Sequence, residues 1–346
     1  MRVTKLREKD KVILNLITES YLKEGKPISS GFIAQRSPLP VSPATVRNIM
    51  TKLEEQGYLF QPHTSAGRIP TDKGLRLYVN NLLEETLLPE KKVELPEDFS
   101  LELSDLNSLL NQVSKVLAEQ SDNLGFVLSP RISKINFRHI RFIKISEYKV
   151  MIILITTSNF VLNEIFQLNT YFTQLELDRA SQYINQNFSG QNMFIIRDYL
   201  LKELPKFKIR YEDIIDKLIN LLKAYIAQEE EESQIFLQGT SKLLEKHDLF
   251  DMGKLKALFQ KFEEKAKLAK LLSDFISLDR VKVLIGSELN IPDIKDCSLI
   301  LSHYGYRSQI LGSLGIIGPK RILYKQIIPL VDSVANRLSQ TISFSQ

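Results

Sequence analysis

Residues 42–52, which read SPATVRNIMTK, carry several side chains that can form hydrogen bonds or methyl contacts with the edges of DNA bases. Asn48 has the amide group that pairs with adenine, and Arg47 has the guanidinium fork that pairs with guanine. The methyl groups of Ala44 and Thr45 can contact the methyl group of thymine. The segment is therefore a candidate for sequence readout, and the alternative is a polar face that contacts only solvent.

The same segment carries the signals of a helix over residues 43–56. Ser42 is a strong N-cap residue, and Pro43 suits the first helical position because its missing N–H would have no partner there. The apolar stripe that would face a core consists of Val46, Ile49, Met50 and Leu53. The candidate DNA contacts of this helix, on its N-cap, outward face and flanks, are Ser42, Ala44, Thr45, Arg47, Asn48, Thr51 and Lys52.

A short basic loop, PHTSAGRIPT at residues 62–71, follows the predicted helix. Its prolines limit the freedom of the unbound chain, so less entropy is lost on binding. Arg68 offers a planar fork to a phosphate or to the minor groove, and Thr64 and Ser65 can donate hydrogen bonds to phosphate oxygens. With His63, these residues are the candidate DNA contacts of the loop. Taken alone, the segment also fits a rigid turn between domains.

Two further helices are predicted before residue 42. Apolar residues recur at helical spacing over 10–22, and a shorter helix fits residues 30–37, after which SPLPVS forms a turn. The order is helix, short helix, turn, helix and loop, which is typical of a winged helix-turn-helix. In that design the third helix enters the major groove and a hairpin wing contacts the flanking backbone. The sequence therefore predicts a winged-helix DNA-binding domain over residues 1–83.

The charge distribution favours the same interpretation. The 346-residue chain has a net charge of +5. Residues 1–80 hold 13 Lys and Arg against 7 Asp and Glu, whereas the remainder holds 33 against 34. This asymmetry favours a module that faces nucleic acid, attached to a neutral body. A basic solvated surface is the alternative explanation.

Several motifs resemble those of the HrcA family of bacterial heat-inducible transcription repressors. The longest is SPATVRNIMTKLEEQGYLFQPHTSAGRIPTDKGLRLYV at residues 42–79. GKPISSGFIA precedes it, and VLIGSELN, CSLI and LGIIGPKRILY extend the resemblance towards the C-terminus. The chain departs from the family pattern at Gly31, where members often carry a basic residue, and in GPKRILY, where GPTRMDY is usual.

The resemblance implies a homodimeric repressor without a cofactor. It would bind the double-stranded inverted-repeat operator CIRCE upstream of chaperone genes, be released on heat stress and be modulated by the GroE chaperonin. The resemblance also implies a multidomain α+β chain in which a GAF-like domain is interrupted by an inserted, helix-rich dimerising domain.

The order of the remaining patterns fits such an insertion, because strands are followed by helices and then by strands. A charged, proline-containing linker is predicted at 84–103, and the GAF-like domain at 104–168 and 253–346. The inserted dimerising domain is predicted at 169–252. Its amphipathic helix at 212–226 is a candidate dimer seam, although packing within its own domain is the commoner fate of such a stripe.

No set of residues predicts a catalytic or metal site. The four histidines are scattered, and the single cysteine, Cys297, lies in an apolar segment typical of a core. A GAF-type small-molecule sensor or enzyme with an accessory DNA-binding module is the alternative function. No apolar run is long enough to cross a membrane and the charged N-terminus has no signal-peptide pattern, so we expect a cytoplasmic protein without a membrane partner.

Overall fold

The computed structural model describes residues 6–64, 66–86, 106–130, 136–157, 161–168, 171–192, 195–196, 198–199, 235–245, 281–289, 295–306 and 309–344. The predicted helix at 212–226 and most of the predicted linker at 84–103 lie outside these residues. The same holds for an apolar stripe over 255–269 that predicts another helix.

The described part of residues 6–86 forms four helices and one small sheet. Their bounds are α1 Glu8–Glu24, α2 Ser30–Arg36, α3 Pro43–Glu55, β1 Leu59–Phe60, β2 Ile69–Pro70 and α4 Asp72–Thr86. The caps follow from the sequence, since the Ser42 hydroxyl accepts a hydrogen bond from the Thr45 N–H and Gly25 ends α1 in the left-handed conformation. The predicted helix at 43–56 is confirmed as α3.

One apolar core holds α1, α2, α3 and β1 together. The stripe of α3 packs with residues of α1, α2 and β1; the buried members are Ile13, Leu14, Ile17, Ile33, Val46, Ile49, Met50, Leu53 and Leu59. Strands β1 and β2 pair antiparallel. We call residues 61–68, which connect the two strands, the wing loop. The packing therefore leaves the polar side of α3 and the wing loop at the surface.

A five-stranded antiparallel sheet forms the centre of the body. Its strands are β3 Leu124–Leu128, β7 Ile235–Gln238, β8 Val281–Ile285, β9 Cys297–Tyr306 and β10 Gln309–Pro319, in the spatial order β7-β3-β10-β9-β8. Two helices, α5 Leu106–Ser121 and α8 Tyr324–Phe344, pack against this sheet. A short helix, α7 Thr240–Glu245, follows β7, and a 3-10 helix, Gly286–Leu289, follows β8.

A second sheet has three antiparallel strands, β4 Phe137–Lys144, β5 Lys149–Thr156 and β6 Val161–Gln167. Helix α6, Gln174–Phe188, covers one face and packs against Phe142, Ile152 and Phe166. Thr173 and Glu176 form a capping box that fixes the start of α6.

The two sheets divide the chain differently from the sequence pattern. Within 140–168 the alternating segment RFIKIS and the apolar run VMIILI predict strands. These strands are confirmed, but they pair with one another and not with β3, which belongs to the larger sheet. Between about 172 and 250 the sequence pattern is mainly helical, and the structure adds a strand there, β7. That strand has only four residues, and so short an apolar run has no periodicity that separates strand from helix.

Candidate nucleic-acid interface

The outward side of α3 presents the predicted readout residues to solvent. Ala44, Arg47, Asn48 and Thr51 are exposed, and Thr45 is half-buried. Within the described part of the chain, no side chain pairs with Arg47 or Asn48. Both side chains are therefore available to a partner that lies along α3.

The N-cap hydroxyl has a structural role. The Oγ atom of Ser42 accepts the Thr45 N–H over 3.1 Å and lies 3.0 Å from the Thr45 hydroxyl. Further along α3, the Thr51 hydroxyl donates to the Arg47 carbonyl over 3.1 Å. These bonds fix the start and middle of the helix. DNA contacts by Ser42, Thr45 and Thr51 stay predictions.

Lys52 lies on the flank of α3 that faces α1. Its ammonium group forms an ion pair with the buried carboxylate of Asp10. The pair joins the two helices, so Lys52 helps to fix the angle at which α3 is presented. No sequence pattern predicts this pairing, because the partners are 42 positions apart.

The wing loop is closed by its own hydrogen bonds. The Gln61 side-chain amide donates to the carbonyls of Thr64 and Ala66, both over 2.9 Å, and the Ala66 N–H donates to the His63 carbonyl over 2.8 Å. His63 and Thr64 are exposed at the tip. Ser65 lies outside the described residues. These bonds hold the described residues of the loop in place before any partner binds, which lowers the entropy lost on binding.

Arg68 has protein partners that the sequence did not predict. Its Nε donates to Glu54 Oε2 over 2.8 Å, and the side chain is only 15% exposed. Its backbone exchanges two hydrogen bonds of 2.9 Å with Ile28. A Cβ atom at Gly67 would lie 2.3 Å from the Ile28 carbonyl oxygen, so the close approach requires glycine. Arg68 thus holds the wing against α3 and against the segment before α2, and its contact with phosphate stays a prediction.

Two exposed residues close to α3 and the wing loop were not predicted as site residues from the sequence. Phe60, on β1, is 52% exposed although Leu59 beside it is buried. The Arg36 guanidinium lies over the Phe32 ring at 3.7 Å, at the exposed end of α2. Strand alternation could have revealed the exposure of Phe60. At Gly31, where the family often has a basic residue, no atom lies within 4 Å of a built Cβ.

The body carries buried polar groups that serve packing. The Tyr324 hydroxyl donates to the Lys320 carbonyl over 2.9 Å and lies 2.6 Å from Ser298 Oγ, while the Tyr304 hydroxyl donates to the Leu128 carbonyl. Burial raises the pKa of both tyrosines well above the ordinary value.

In the described ranges, no cluster of three or more His, Cys, Asp and Glu side chains is placed to hold a metal ion. No helix among those described is long and apolar enough to cross a bilayer.

A family model and two relatives of known name all point to one protein family. Residues 107–328 match the family model described as HrcA protein C terminal domain. The heat-inducible transcription repressor HrcA of Geobacter sulfurreducens is 35% identical over 339 residues, covering 98% of each chain. The repressor of the same name from Nitrosomonas eutropha is 35% identical over 340 residues, covering 98% of this chain and 100% of its own.

A solved structure supports the fold alone. The crystal structure of a hypothetical protein superposes with a TM-score of 0.67 at 24% identity, and it covers 99% of this chain and 100% of its own.

These relatives are transcription repressors, which is the class indicated by a basic helical module with an exposed polar helix. The chain belongs to the HrcA family of heat-inducible transcription repressors. The resemblance found in the sequence motifs is thereby confirmed.

Proposed function

We propose that the protein binds the inverted-repeat CIRCE operator as a homodimer, represses chaperone genes and is released on heat stress. The observation that carries the proposal is the exposed pair Arg47 and Asn48 on α3, neither of which pairs with another described side chain. Such side chains on the outward face of a third helix suit base readout in the major groove. Membership of a heat-inducible repressor family supports the same function.

We propose that residues 1–83 are a winged helix-turn-helix domain. Its support is the order α1, α2, α3, β1, β2, with a short antiparallel pair directly after the third helix. In this arrangement α3 reads bases and the wing loop contacts the flanking backbone. The proposed contacts are Ser42, Ala44, Thr45, Arg47, Asn48, Thr51, Lys52, His63, Thr64, Ser65 and Arg68. Lys52 and Arg68 also hold α3 and the wing in place.

We propose that the five-stranded sheet with α5 and α8 is the GAF-like domain. The three-stranded sheet with α6 is then part of the inserted dimerising domain, which lies between β3 and β7. The pairing supports this division, because among the described strands β4, β5 and β6 pair with one another and not with the larger sheet. With this division, the proposed insertion starts in the segment after β3 and not at residue 169, the bound predicted from the sequence.

An exposed apolar face supports dimerisation through the insertion. Val161 and Ile165 on β6 are 60% and 50% exposed. The strand register places them beside Ile155 and Met151 of β5, on the face opposite α6. Covering apolar residues of this kind stabilises an association between subunits.

Operator binding by the full chain tests the proposal. A labelled duplex with the CIRCE inverted repeat is compared with a duplex of the same composition whose half-sites are scrambled. We expect the operator to bind at least about a hundredfold more tightly at fixed salt, and GroE to increase the fraction of active repressor. Equal affinity for both duplexes, with and without GroE, would exclude the proposed function.

A further inference from the structure

We propose that Arg76 and Glu288, with Lys320 and Asp72, hold the DNA-binding module at one orientation on the body and so determine which operator spacing the dimer accepts. The proposal rests on the proposed function, since it concerns how two reading helices meet two half-sites. It assigns a specificity role to residues that do not belong to the DNA-facing surface.

Helix α4 of the module is buried in the apolar core of the body, which is separate from the core around α3. Leu75, Tyr78, Val79 and Leu82 of α4 are buried in the same cluster as Ile285, Ile328 and Val331 of the body. The cluster joins the two parts but has little directional preference, because apolar contacts depend mainly on the area removed from water. Charged contacts of defined geometry between the module and the body add a preferred angle to this apolar interface.

Arg76, in the middle of α4, supplies a contact of fixed geometry. Its Nε donates to Glu288 Oε1 over 2.7 Å, and one terminal nitrogen pairs with the other carboxylate oxygen and donates to the Val283 carbonyl over 2.8 Å. The backbone N–H of Ile285 donates to Glu288 over 2.9 Å and so holds the carboxylate in place. A two-point pair between guanidinium and carboxylate fixes direction as well as distance.

A second pair lies at the start of α4. Lys320 Nζ lies 2.9 Å from Asp72 Oδ1 and 3.8 Å from Asp296 Oδ1. Gly286 has a φ of 57°, and a Cβ there would lie 2.4 Å from Asp72 Oδ2, so module and body approach closely at this point. The two pairs are one turn apart along α4, and together they resist rotation of the helix.

The start of α4 is in turn tied to the end of α3. The Thr71 hydroxyl donates to the Gly57 carbonyl over 2.7 Å, and Lys73 Nζ donates to the Gln56 carbonyl over 2.8 Å. A rotation of α4 on the body would therefore move α3 with it. In a dimer, the distance and angle between the two reading helices depend on this connection.

Operator spacing makes this orientation measurable. Half-sites read by a two-fold dimer lie at a fixed separation, and one added base pair moves a half-site by about 3.4 Å and rotates it by about a tenth of a turn. A module held rigidly accepts one spacing, whereas a module that can turn accepts several at similar affinity.

The test uses the full-length protein with Glu288→Gln, which removes the charge, and Arg76→Lys, which keeps the charge and removes the fork. Each is titrated with inverted repeats whose spacer is changed by one or two base pairs, and with a duplex that holds one half-site. Lys115→Gln is the matched control, because it breaks a surface pair on α5 with Glu119, away from the module.

We expect the natural protein and Lys115→Gln to lose about tenfold or more in affinity when the spacer changes, because only one half-site is then engaged. Both interface variants should lose less than threefold while their half-site affinity stays unchanged. A spacing dependence like that of the natural protein in either variant overturns the proposal. If Glu288→Gln does not fold, Lys320→Gln carries the same test with the same expected and contrary results. Failure of the natural protein to prefer the inverted repeat over scrambled DNA would instead overturn the proposed function.

Discussion

Arg68 and Glu54 form an ion pair of 2.8 Å that joins the wing to the last turn of α3. The pair connects two elements that are proposed to meet different parts of DNA, with α3 on the bases and the wing on the backbone. The ion pair thus holds α3 and the wing loop in one relative position before DNA binds. The residue with the clearest sequence signal for a phosphate contact has a positioning role as well.

Arg68→Ala should weaken binding to operator and random duplexes alike, because the wing would lose its anchor on α3 and its contacts carry no sequence information. Titrations at several salt concentrations check this. A salt slope that falls by about one unit assigns a phosphate contact to the guanidinium, whereas an unchanged slope assigns Arg68 to the pair with Glu54 alone. A loss confined to the operator would contradict both roles.

Asn48→Ala and Arg47→Ala should each weaken operator binding by roughly 1–3 kcal/mol. Asn48→Ala should leave the non-specific binding of random DNA nearly unchanged. The physical reason is the loss of two hydrogen bonds to one base. Asn187→Ala, on the exposed side of α6, is the matched control. Equal losses on operator and random DNA for both variants would remove α3 from the readout.

The sequence predicted local structure well and tertiary partners poorly. Ser42 and Pro43 determine the start of α3 through bonds within four residues, so local pattern was enough. The contacts of Arg68 with Glu54 and of Arg76 with Glu288 span 14 and 212 residues, and no spacing rule encodes them. The outward residues of α3 could be deduced from helical angles alone, whereas the anchoring of the wing required the fold.

The sheets show the same division. Alternating and buried apolar runs identified β4 and β5 as strands, because side-chain periodicity is local. The periodicity of a strand does not determine which strand it pairs with. The sequence pattern therefore assigned β4 and β5 to the same domain as the larger sheet. The apolar residues of α4 are buried against body residues more than 200 positions away, which no local pattern can indicate.

Ile165→Lys should weaken the dimer by about tenfold or more, since a charge would enter the proposed apolar interface. The side chain is 50% exposed in the single chain, so the subunit should still fold. Sedimentation equilibrium measures the dissociation constant. Leu175→Lys is the control, because Leu175 is 60% exposed on α6, on the other side of the sheet. An unchanged dimer in Ile165→Lys would place the interface elsewhere.

The buried tyrosines should make the protein less stable in alkali. Burial raises the pKa of Tyr324, so above pH 10 the unfolded chain loses the proton while the folded chain keeps it. The contribution of the Tyr324 hydroxyl to the free energy of unfolding is fully present below the pKa of tyrosine in the unfolded chain. It is lost as the pH rises, by about 1.4 kcal/mol at pH 11 for one tyrosine.

Urea unfolding at pH 9 and pH 11 measures this difference. Tyr324→Phe should lose less stability over that interval than the natural protein does, although it starts lower because its hydrogen bonds with Ser298 and Lys320 are gone. Tyr148→Phe, at a 46% exposed position, serves as the control. An identical alkaline loss in Tyr324→Phe and the natural protein would be inconsistent with titration of this hydroxyl.

Sedimentation velocity of the full chain mixed with a labelled CIRCE duplex tests the central claim most directly, because it counts protein chains on each operator. We expect two chains on each inverted repeat at micromolar protein, and no complex of similar affinity on the scrambled duplex. One chain on each duplex, with equal affinity for operator and scrambled DNA, would contradict a dimeric, sequence-specific repressor.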